Sequence, residues 1–204
     1  MNFLAHALLA DGDPALIVGG VVGDWIKGTL PGKLPADLAR GVTLHRAIDT
    51  FAESNLGFNQ SRSRVSASRR RYAGVLVDIF YDHLLALHWQ EEHEQPLDVF
   101  CNTVYEMIND RLPELPETSH QGLNMMATQN WLLSYAHMDG IADVLQRMSR
   151  RARQPNPLAQ GEQEMLADMA GFTGDFQVWL KDAREFTQAW RTNQICIEVV
   201  SAGK

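Results

Sequence analysis

The feature that most constrains this chain is an apolar helix that carries acidic side chains. Positions 75–87 read VLVDIFYDHLLAL, with apolar residues on every side of the projected helix, which predicts an interior helix. Asp78 and Asp82 lie on one face about one turn apart, roughly 6 Å, and His83 follows directly. Two ionised carboxylates so close together and away from water need a cation. A metal ion would satisfy them, and so would bound arginines.

Similar polar residues interrupt other apolar helices among the first 83 positions. His6 lies in a short helix that we expect Asn2 to cap, Asp24 ends a second helix, and His45 and Asp49 lie four apart on a third. Imidazole and carboxylate without thiolate are typical of manganese, iron, zinc or magnesium sites that leave positions open for water and an oxyanion. Such a site is by default that of a hydrolase. The predicted metal ligands are His6, Asp24, His45, Asp78, Asp82 and His83.

Each of these residues also has a purely structural interpretation. His6 could be a core histidine bonded to a carbonyl, and His45 and Asp49 could pair with each other or with Arg46. Asp24 is harder to explain as packing, because it follows three glycines of its helix, Gly19, Gly20 and Gly23. Glycine is costly inside a helix, so these positions predict close approach by a neighbouring backbone. Taken together, the polar residues favour a metal site, with no role assigned to Asp49.

The remaining pattern is that of one helical domain. The chain has 204 residues and 45% hydrophobic content, enough for a full core, and no segment of useful length alternates as a strand would. We expect an all-α, irregular multi-helix bundle over residues 1–194, and a poorly ordered tail over 195–204 that matches neither a helix nor a packed strand. Helices are predicted at 3–10, 13–28, 36–52, 54–71 in part, 72–93, 96–111, 123–135, 140–151, 157–169 and 172–190.

Composition narrows the classes of partner. A net charge of −7 argues against general binding of nucleic acid or of anionic membranes. Residues 16–26 are too short and too rich in glycine to span a bilayer. Cys101 and Cys196 are far apart and form no CxxC motif, so a reducing cytoplasm fits. The sequence predicts no oligomeric state.

The positive charge is concentrated in two stretches. Five arginines fall within ten residues with no acidic neighbour from position 61 onward, and a second group follows in RMSRRAR. In an acidic protein such clusters predict a docking surface for an acidic partner, with association that is sensitive to salt. The first cluster is Arg62, Arg64, Arg69, Arg70 and Arg71, and the second is Arg147, Arg150, Arg151 and Arg153.

Several motifs together resemble the acyl carrier protein phosphodiesterase family. They are the opening MNFLAH, the string GDWIKG, the segment HRAID, the block VDIFYDHLLALHW and the later NWLLSYAHMDGIADVLQRMSRR. Their order and spacing fit that family over residues 1 to about 153. The resemblance implies a metal-dependent hydrolase, with manganese typical, that removes 4′-phosphopantetheine from holo-acyl carrier protein, an acidic helical partner.

The resemblance also implies residue roles and a fold. Asp24 matches an acid of the family's second helix, Lys27 its following basic residue, and His45, Arg46 and Asp49 its HR-x-x-D segment. We therefore expect Asp24, Lys27 and Arg46 to take part in catalysis, with Lys27 and Arg46 on the phosphate. The family is considered a divergent relative of the HD-domain metal phosphohydrolases, which predicts an HD-like bundle. The chain departs from that superfamily because no adjacent His-Asp dipeptide occurs in it.

Two other functions fit the same residues. One is an HD-like phosphohydrolase acting on a small nucleotide, which needs the metal site but gives the arginines no large partner. The other is a non-enzymatic helical protein that binds carrier proteins, in which the buried acids are ion-paired and no metal is held. Metal content separates this last class from both enzymes.

Overall fold

The chain folds as an all-α protein. The computed structural model describes the backbone of residues 2–202 and the side chains of residues 2–193. Within this part of the chain there are twelve α-helices and no strand, which confirms the predicted class. The α-helices are α1 Phe3–Leu9, α2 Pro14–Val22, α3 Ala36–Ser54, α4 Leu56–Arg64, α5 Ala73–Leu87, α6 Trp89–Glu92, α7 Leu97–Arg111, α8 Glu117–Thr128, α9 Trp131–Ser134, α10 Met138–Arg151, α11 Glu162–Ala167 and α12 Met169–Ala202. Short 3₁₀ helices occupy Gly23–Trp25, Arg70–Tyr72 and Leu112–Glu114.

Helix α5 is the interior helix that the sequence predicts. Nearly all of its side chains are buried, and it packs against α1, α4, α10, α11 and α12. It is shorter than the predicted 72–93, because the backbone leaves helical geometry at His88 before α6 begins. Trp89, just beyond that break, is fully buried. Five helices therefore cover most of α5, and its Asp82 and His83 are removed from bulk water, whereas Asp78 is half-buried.

Helices α2 and α3 cross in backbone contact. A Cβ atom added at Gly19 would lie 2.5 Å from the Cα of Gly41, and one added at Gly41 would lie 2.5 Å from the carbonyl oxygen of Ala15. No larger side chain fits at either position without moving a helix. The close approach predicted from the glycines of α2 is confirmed, and it brings the C-terminal end of α2 beside the middle of α3.

The N-termini of α1 and α2 are capped differently. Asp13 caps α2 as its position predicts, because its Oδ1 accepts hydrogen bonds from the backbone of Ala15 and Leu16. The prediction that Asn2 caps α1 is wrong, since the Asn2 side chain makes no capping bond. The backbone N–H groups at the start of α1 instead donate hydrogen bonds to the side chain of Asp82 on α5.

The second half of the chain differs from the predicted helices. The predicted helix 123–135 is split, because Asn130 adopts a left-handed conformation with φ of 47° between α8 and α9. The backbone of α12 runs on to Ala202, into the segment 195–204 that we set apart as a tail. The side chains of that segment lie outside the described residues, so its separation from the domain stays a prediction. Among the described helices, none has the length and apolar character needed to cross a membrane.

Candidate metal centre

Two histidine rings and a carboxylate converge where α1, α2 and α3 meet. The His6 Nε2 lies 3.3 Å from Asp49 Oδ1, and the His45 Nε2 lies 3.2 Å from Asp49 Oδ2. The two imidazole rings stack with centroids 4.1 Å apart. One ligand atom from each of the three residues falls within 4.8 Å of the others. The α-helical spacing of His45 and Asp49 places both on the face of α3 that meets His6.

The His45 ring is held in one orientation by α2. Its Nδ1 lies 2.8 Å from the carbonyl oxygen of Gly20, and since a carbonyl only accepts, Nδ1 must carry the proton and donate it. The other ring nitrogen, Nε2, is the atom that faces Asp49. Gly23 makes room for the ring, because a Cβ atom there would lie 2.4 Å from His45 Cγ.

The His6 ring is buried, and although its Nε2 lies 3.3 Å from Asp49 Oδ1, neither ring nitrogen makes a well-aligned hydrogen bond within the described part of the chain. The residue is 1% exposed. Burial lowers the pKa of His6 to about 4, and the neighbouring His45 adds to the shift, so the ring is neutral near pH 7. A neutral imidazole with unpaired buried nitrogens is costly unless something binds it.

Asp49 supplies the negative charge and the opening to solvent. Burial alone would raise the pKa of Asp49, but the adjacent His45 and His6 outweigh it and hold that pKa well below its ordinary value. The carboxylate is thus ionised, while 47% of its side chain remains exposed. Two imidazoles and one ionised carboxylate, open on one side, fit a divalent cation that keeps positions free for water or substrate.

Two further carboxylates border this cluster. Asp24 lies in the 3₁₀ helix after α2, with its Oδ1 3.8 Å from His45 Nε2. Asp78 of α5 is half-buried, and desolvation raises its pKa, to which the charges of Asp49 and Asp24 contribute. That coupling requires the three acids to be near one another. The predicted ligands His6, His45, Asp24 and Asp78 are therefore brought to one region.

Asp82 and His83 have other partners. The two carboxylate oxygens of Asp82 accept hydrogen bonds from the backbone N–H groups of Leu4, at 3.1 Å, and Ala5, at 2.9 Å. His83 donates from Nδ1 to the carbonyl oxygen of Tyr135 at 2.6 Å. Neither belongs to the group whose ligand atoms converge, and their assignment as metal ligands stays a prediction. Of the polar residues of α5, Asp78 thus lies near the cluster, Asp82 anchors α1, and His83 binds the segment before α10.

The predicted phosphate-binding residues lie beside the cluster in the chain. Arg46 follows His45 and is half-buried, and its Nη2 donates to the carbonyl oxygen of Ile26 at 3.1 Å. Lys27 is the next residue after Ile26 and is exposed. Arg46 is therefore tied to the segment that carries both Asp24 and Lys27.

The first arginine cluster is not uniform. Arg64 binds Asp168 and Asp175 of the α12 region, and Arg69 binds Glu164 and the carbonyl oxygen of Pro157. Both therefore hold neighbouring segments together. Arg62, Arg70 and Arg71 are exposed.

Sequence reasoning left Asp49 without a role, although it is the carboxylate nearest to both histidines. The signal that could have assigned it was its spacing of four residues from His45. Nothing in the sequence could show that Gly20 would fix the tautomer of His45. A separate cavity of about 1100 Å³ between the end of α1, α7 and α12 is lined by none of the predicted site residues.

The fold and the cluster define a class: an all-α protein with a histidine–carboxylate centre suited to a divalent metal. The acyl carrier protein phosphodiesterase family matches residues 1–183, and this chain belongs to that family. It is similar to proteins named acyl carrier protein phosphodiesterase. The one from Photorhabdus laumondii subsp. laumondii is 32% identical over 86% of this chain and 89% of its own length. The one from Pectobacterium atrosepticum is 35% identical over 74% of this chain and 79% of its own length. The one from Escherichia coli O157:H7 is 29% identical over 94% of this chain and 98% of its own length. No solved structure matches the chain.

Proposed function

We propose that this protein is a metal-dependent phosphodiesterase that hydrolyses holo-acyl carrier protein to apo-acyl carrier protein and 4′-phosphopantetheine. Membership of the family and the names of its relatives support the substrate and the reaction. The single observation that carries the metal dependence is the buried His6 ring, whose nitrogens make no well-aligned hydrogen bond to the described residues although Nε2 lies 3.3 Å from the Asp49 carboxylate that it shares with His45. The reaction breaks the bond between phosphorus and the oxygen of the carrier serine, and a water molecule replaces that oxygen.

His6, His45 and Asp49 would hold the cation, with Asp24 as the next nearest carboxylate. We propose manganese, and the donor set also suits magnesium, iron or zinc. When bound, the cation supplies charge neutralisation for the phosphodiester and lowers the pKa of water. Asp24, 3.8 Å from His45 Nε2, and Asp78, whose pKa responds to the charges of Asp49 and Asp24, would orient the attacking water through hydrogen bonds.

Arg46 and Lys27 would bind the phosphate oxygens. The bond from Arg46 to the carbonyl oxygen of Ile26 leaves other N–H groups of the guanidinium to donate, and it limits the freedom of the side chain. Lys27 is exposed and close to the same loop in the chain, so it can meet substrate as a mobile point charge. Lys27 in the loop after α2 and Arg46 on α3, which binds the carbonyl oxygen of Ile26 in that loop, would together orient the diester relative to the cluster.

The test measures reaction and metal separately. Purified protein is incubated with holo-carrier protein and manganese, with an EDTA control, and the carrier is weighed by intact mass spectrometry. We expect loss of the phosphopantetheine mass only when metal is present. In parallel, elemental analysis of His6→Ala and His45→Ala should show loss of bound metal, whereas His88→Ala, which changes a half-buried histidine outside the cluster, should retain it. Metal bound without any change in carrier mass would refute the substrate, and absence of metal would refute the centre.

Two further features, an HD-like architecture and a reducing cytoplasmic location, are proposed together with the function. An HD-like architecture is supported by the all-α fold and by a histidine and an aspartate on one helix, His45 and Asp49, in place of an adjacent pair. A reducing cytoplasmic location is supported by Cys101, which is buried and free. A fold comparison with an experimental structure of an HD hydrolase would test the first of these.

A further inference from the structure

Twelve of the fourteen arginines fall into two groups by their partners; the other two, Arg46 and Arg147, are half-buried against the carbonyl oxygen of Ile26 and the ring of Trp131. Those that bind a carboxylate within the described residues are Arg40, Arg64, Arg69, Arg111, Arg184 and Arg191. Each of these holds two segments of the chain together or stabilises a loop. A second group forms no ion pair in this part of the chain and is exposed: Arg62, Arg70, Arg71, Arg150, Arg151 and Arg153. In a chain of net charge −7, arginines without acidic partners require an explanation.

The fold brings the two sequence clusters of unpaired arginines to one end of the molecule. His83, near the C-terminus of α5, contacts the carbonyl of Tyr135 just before α10. Leu76 of α5 and Leu145 of α10 both lie against Gly161, 2.7 and 3.2 Å from the position of its added Cβ. The two helices therefore run antiparallel, and the start of α5 lies near the end of α10. Arg70 and Arg71 precede α5, and Arg150 and Arg151 end α10.

Arg62 continues this surface. The Nη2 of Arg70 donates to the carbonyl oxygen of Ser63, so the end of α4 adjoins the start of α5. We call the exposed side chains of Arg62, Arg70, Arg71, Arg150 and Arg151 the arginine surface.

A chain of contacts links the arginine surface to the metal cluster. Arg151 reaches Met125 of α8, with its Nη2 3.5 Å from Sδ. One turn earlier on α8, Gly122 packs on Trp25, whose Nε1 lies 2.7 Å from the added Cβ position. Trp25 directly follows Asp24. A single helix, α8, therefore lies between the arginine surface and the metal cluster.

Helix α5 provides a second link, along an open face. Gly74, Val75 and Asp78 are spaced to lie on one side of α5, Arg71 lies in the 3₁₀ helix directly before it, and each of the four is at least partly exposed. A Cβ added at Gly74 would meet nothing within 4 Å. Seven residues of helix correspond to about 10 Å, so Arg71 lies roughly that far from Asp78 along the helix axis.

We propose that the arginine surface is the docking site for an acidic face of the protein substrate, an inference that rests on the proposed function. The bond to be cut joins phosphorus directly to a serine side chain of the carrier. The carrier backbone must therefore come close to the metal cluster, and its docking surface must adjoin it. The arginine surface meets this requirement and is complementary in charge to an acidic protein. Arg64 and Arg69 are excluded from docking because their guanidinium groups already bind acids of this chain.

The experiment compares charge reversals that change the net charge equally. Arg71→Glu and Arg150→Glu lie in the arginine surface, whereas Lys181→Glu changes an exposed lysine of α12 outside it. Affinity for fluorescein-labelled holo-carrier protein is measured by anisotropy with EDTA present, so that binding is read without turnover. We expect each arginine reversal to raise Kd about tenfold and Lys181→Glu to leave it nearly unchanged. Hydrolysis of bis(p-nitrophenyl) phosphate with manganese serves as the readout that needs no docking.

The outcomes separate docking from catalysis. If the wild-type protein binds carrier in the expected arginine-dependent way but does not change its mass, docking stands and the proposed reaction fails. If carrier is hydrolysed but Kd is the same in all variants, the arginine surface is not the docking site. Equal loss of carrier and small-diester hydrolysis, with Kd unchanged, would mean that the reversals disturb the active centre, and it would also overturn docking.

Discussion

At the scale of single residues, the site depends on the absence of a side chain as much as on the ligands. The His45 ring fits between α2 and α3 because Gly23 has no Cβ, and its Nδ1 meets a carbonyl because Gly20 lies one turn earlier. His6 stacks on that ring from the other side. The His45 ring is thus held in place by contacts with the backbone of α2, and the His6 ring by stacking on His45.

We predict that Gly23→Ala disrupts the metal centre. The new methyl group would lie 2.4 to 2.7 Å from atoms of the His45 ring, so the ring must turn away from Gly20 and Asp49. We expect loss of stoichiometric manganese binding, measured by elemental analysis after gel filtration, and at least a hundredfold loss of turnover, about 3 kcal/mol in the barrier.

The matched control is Gly174→Ala in α12, where an added Cβ meets nothing within 4 Å. Helix propensity alone should then stabilise the protein by about 1 kcal/mol, measured by urea unfolding, with metal content unchanged. Full metal binding by Gly23→Ala would show that the His45 ring does not need its present position.

At the scale of helices, α1 is held by a residue far along the chain. Asp82 of α5 caps the first turn of α1, at Leu4 and Ala5, where Asn2 would be the local choice. The N-terminal ends of helices favour a carboxylate through their free N–H groups. Because His6 directly follows Ala5, this contact also fixes the position of His6 along the axis of α1 and so its position relative to His45.

We predict that Asp82→Ala destabilises the fold by about 2 to 4 kcal/mol, since it leaves two buried N–H groups without acceptors. Urea unfolding monitored by circular dichroism would measure this change. Asp82→Asn keeps one acceptor oxygen and should cost less. A loss of stability no larger than that of a surface substitution would show that α1 does not depend on this cap.

The same residue predicts a pH dependence of stability. Burial raises the pKa of Asp82 to about 8, while the N–H groups of Ala5 and Leu4 act in the opposite direction. A folded-state pKa above the unfolded value of 3.8 means that the contribution of Asp82 is complete below about pH 4. It is lost as the pH rises toward 8. The free energy of unfolding should therefore decline over this range in the wild type and less steeply in Asp82→Asn, as urea titrations at a series of pH values would show.

A further prediction concerns the ion pair between α4 and α12. Arg64 binds Asp175, whose side chain is only 7% exposed and also accepts a hydrogen bond from Ser61. Arg64→Ala should cost about 1 to 3 kcal/mol in unfolding free energy, because it leaves a nearly buried carboxylate without its cation. Arg62→Ala, two residues away and exposed, should change stability by less than about 0.5 kcal/mol. Equal effects of the two substitutions would show that Arg64 has no special structural role.

At the scale of the whole molecule, the distribution of charge matters more than its sum. The protein carries a net charge of −7, so two acidic proteins would repel each other if total charge decided their encounter. The arginine surface presents the opposite sign locally. We predict that kcat/KM for holo-carrier protein falls as sodium chloride is raised from low to physiological concentration, since screening weakens the local attraction. A rise with salt would mean that net repulsion controls the encounter.

The sequence predicted the fold class, the interior helix and the close approach at the α2 glycines, because hydrophobic periodicity and glycine placement are local signals. It also singled out His6 and His45 of the cluster as ligands, although it assigned no role to Asp49. It could not separate Asp78 from Asp82, since two acids one turn apart on α5 look alike until α1 is placed against one of them. Nor could it separate Arg62 from Arg64, whose partner Asp175 lies more than 100 positions away in sequence.

The bond between Asp82 and the start of α1 also orders events during synthesis. The chain is made from its N-terminus, so His6, His45 and Asp49 all exist before Asp82 and the helix that holds α1 in place. A nascent chain therefore carries the proposed metal ligands before Asp82 can fix the position of α1. We expect the proposed centre to form fully only after α5 has been made and has folded against α1, so that binding of a cation would be a late step of biosynthesis.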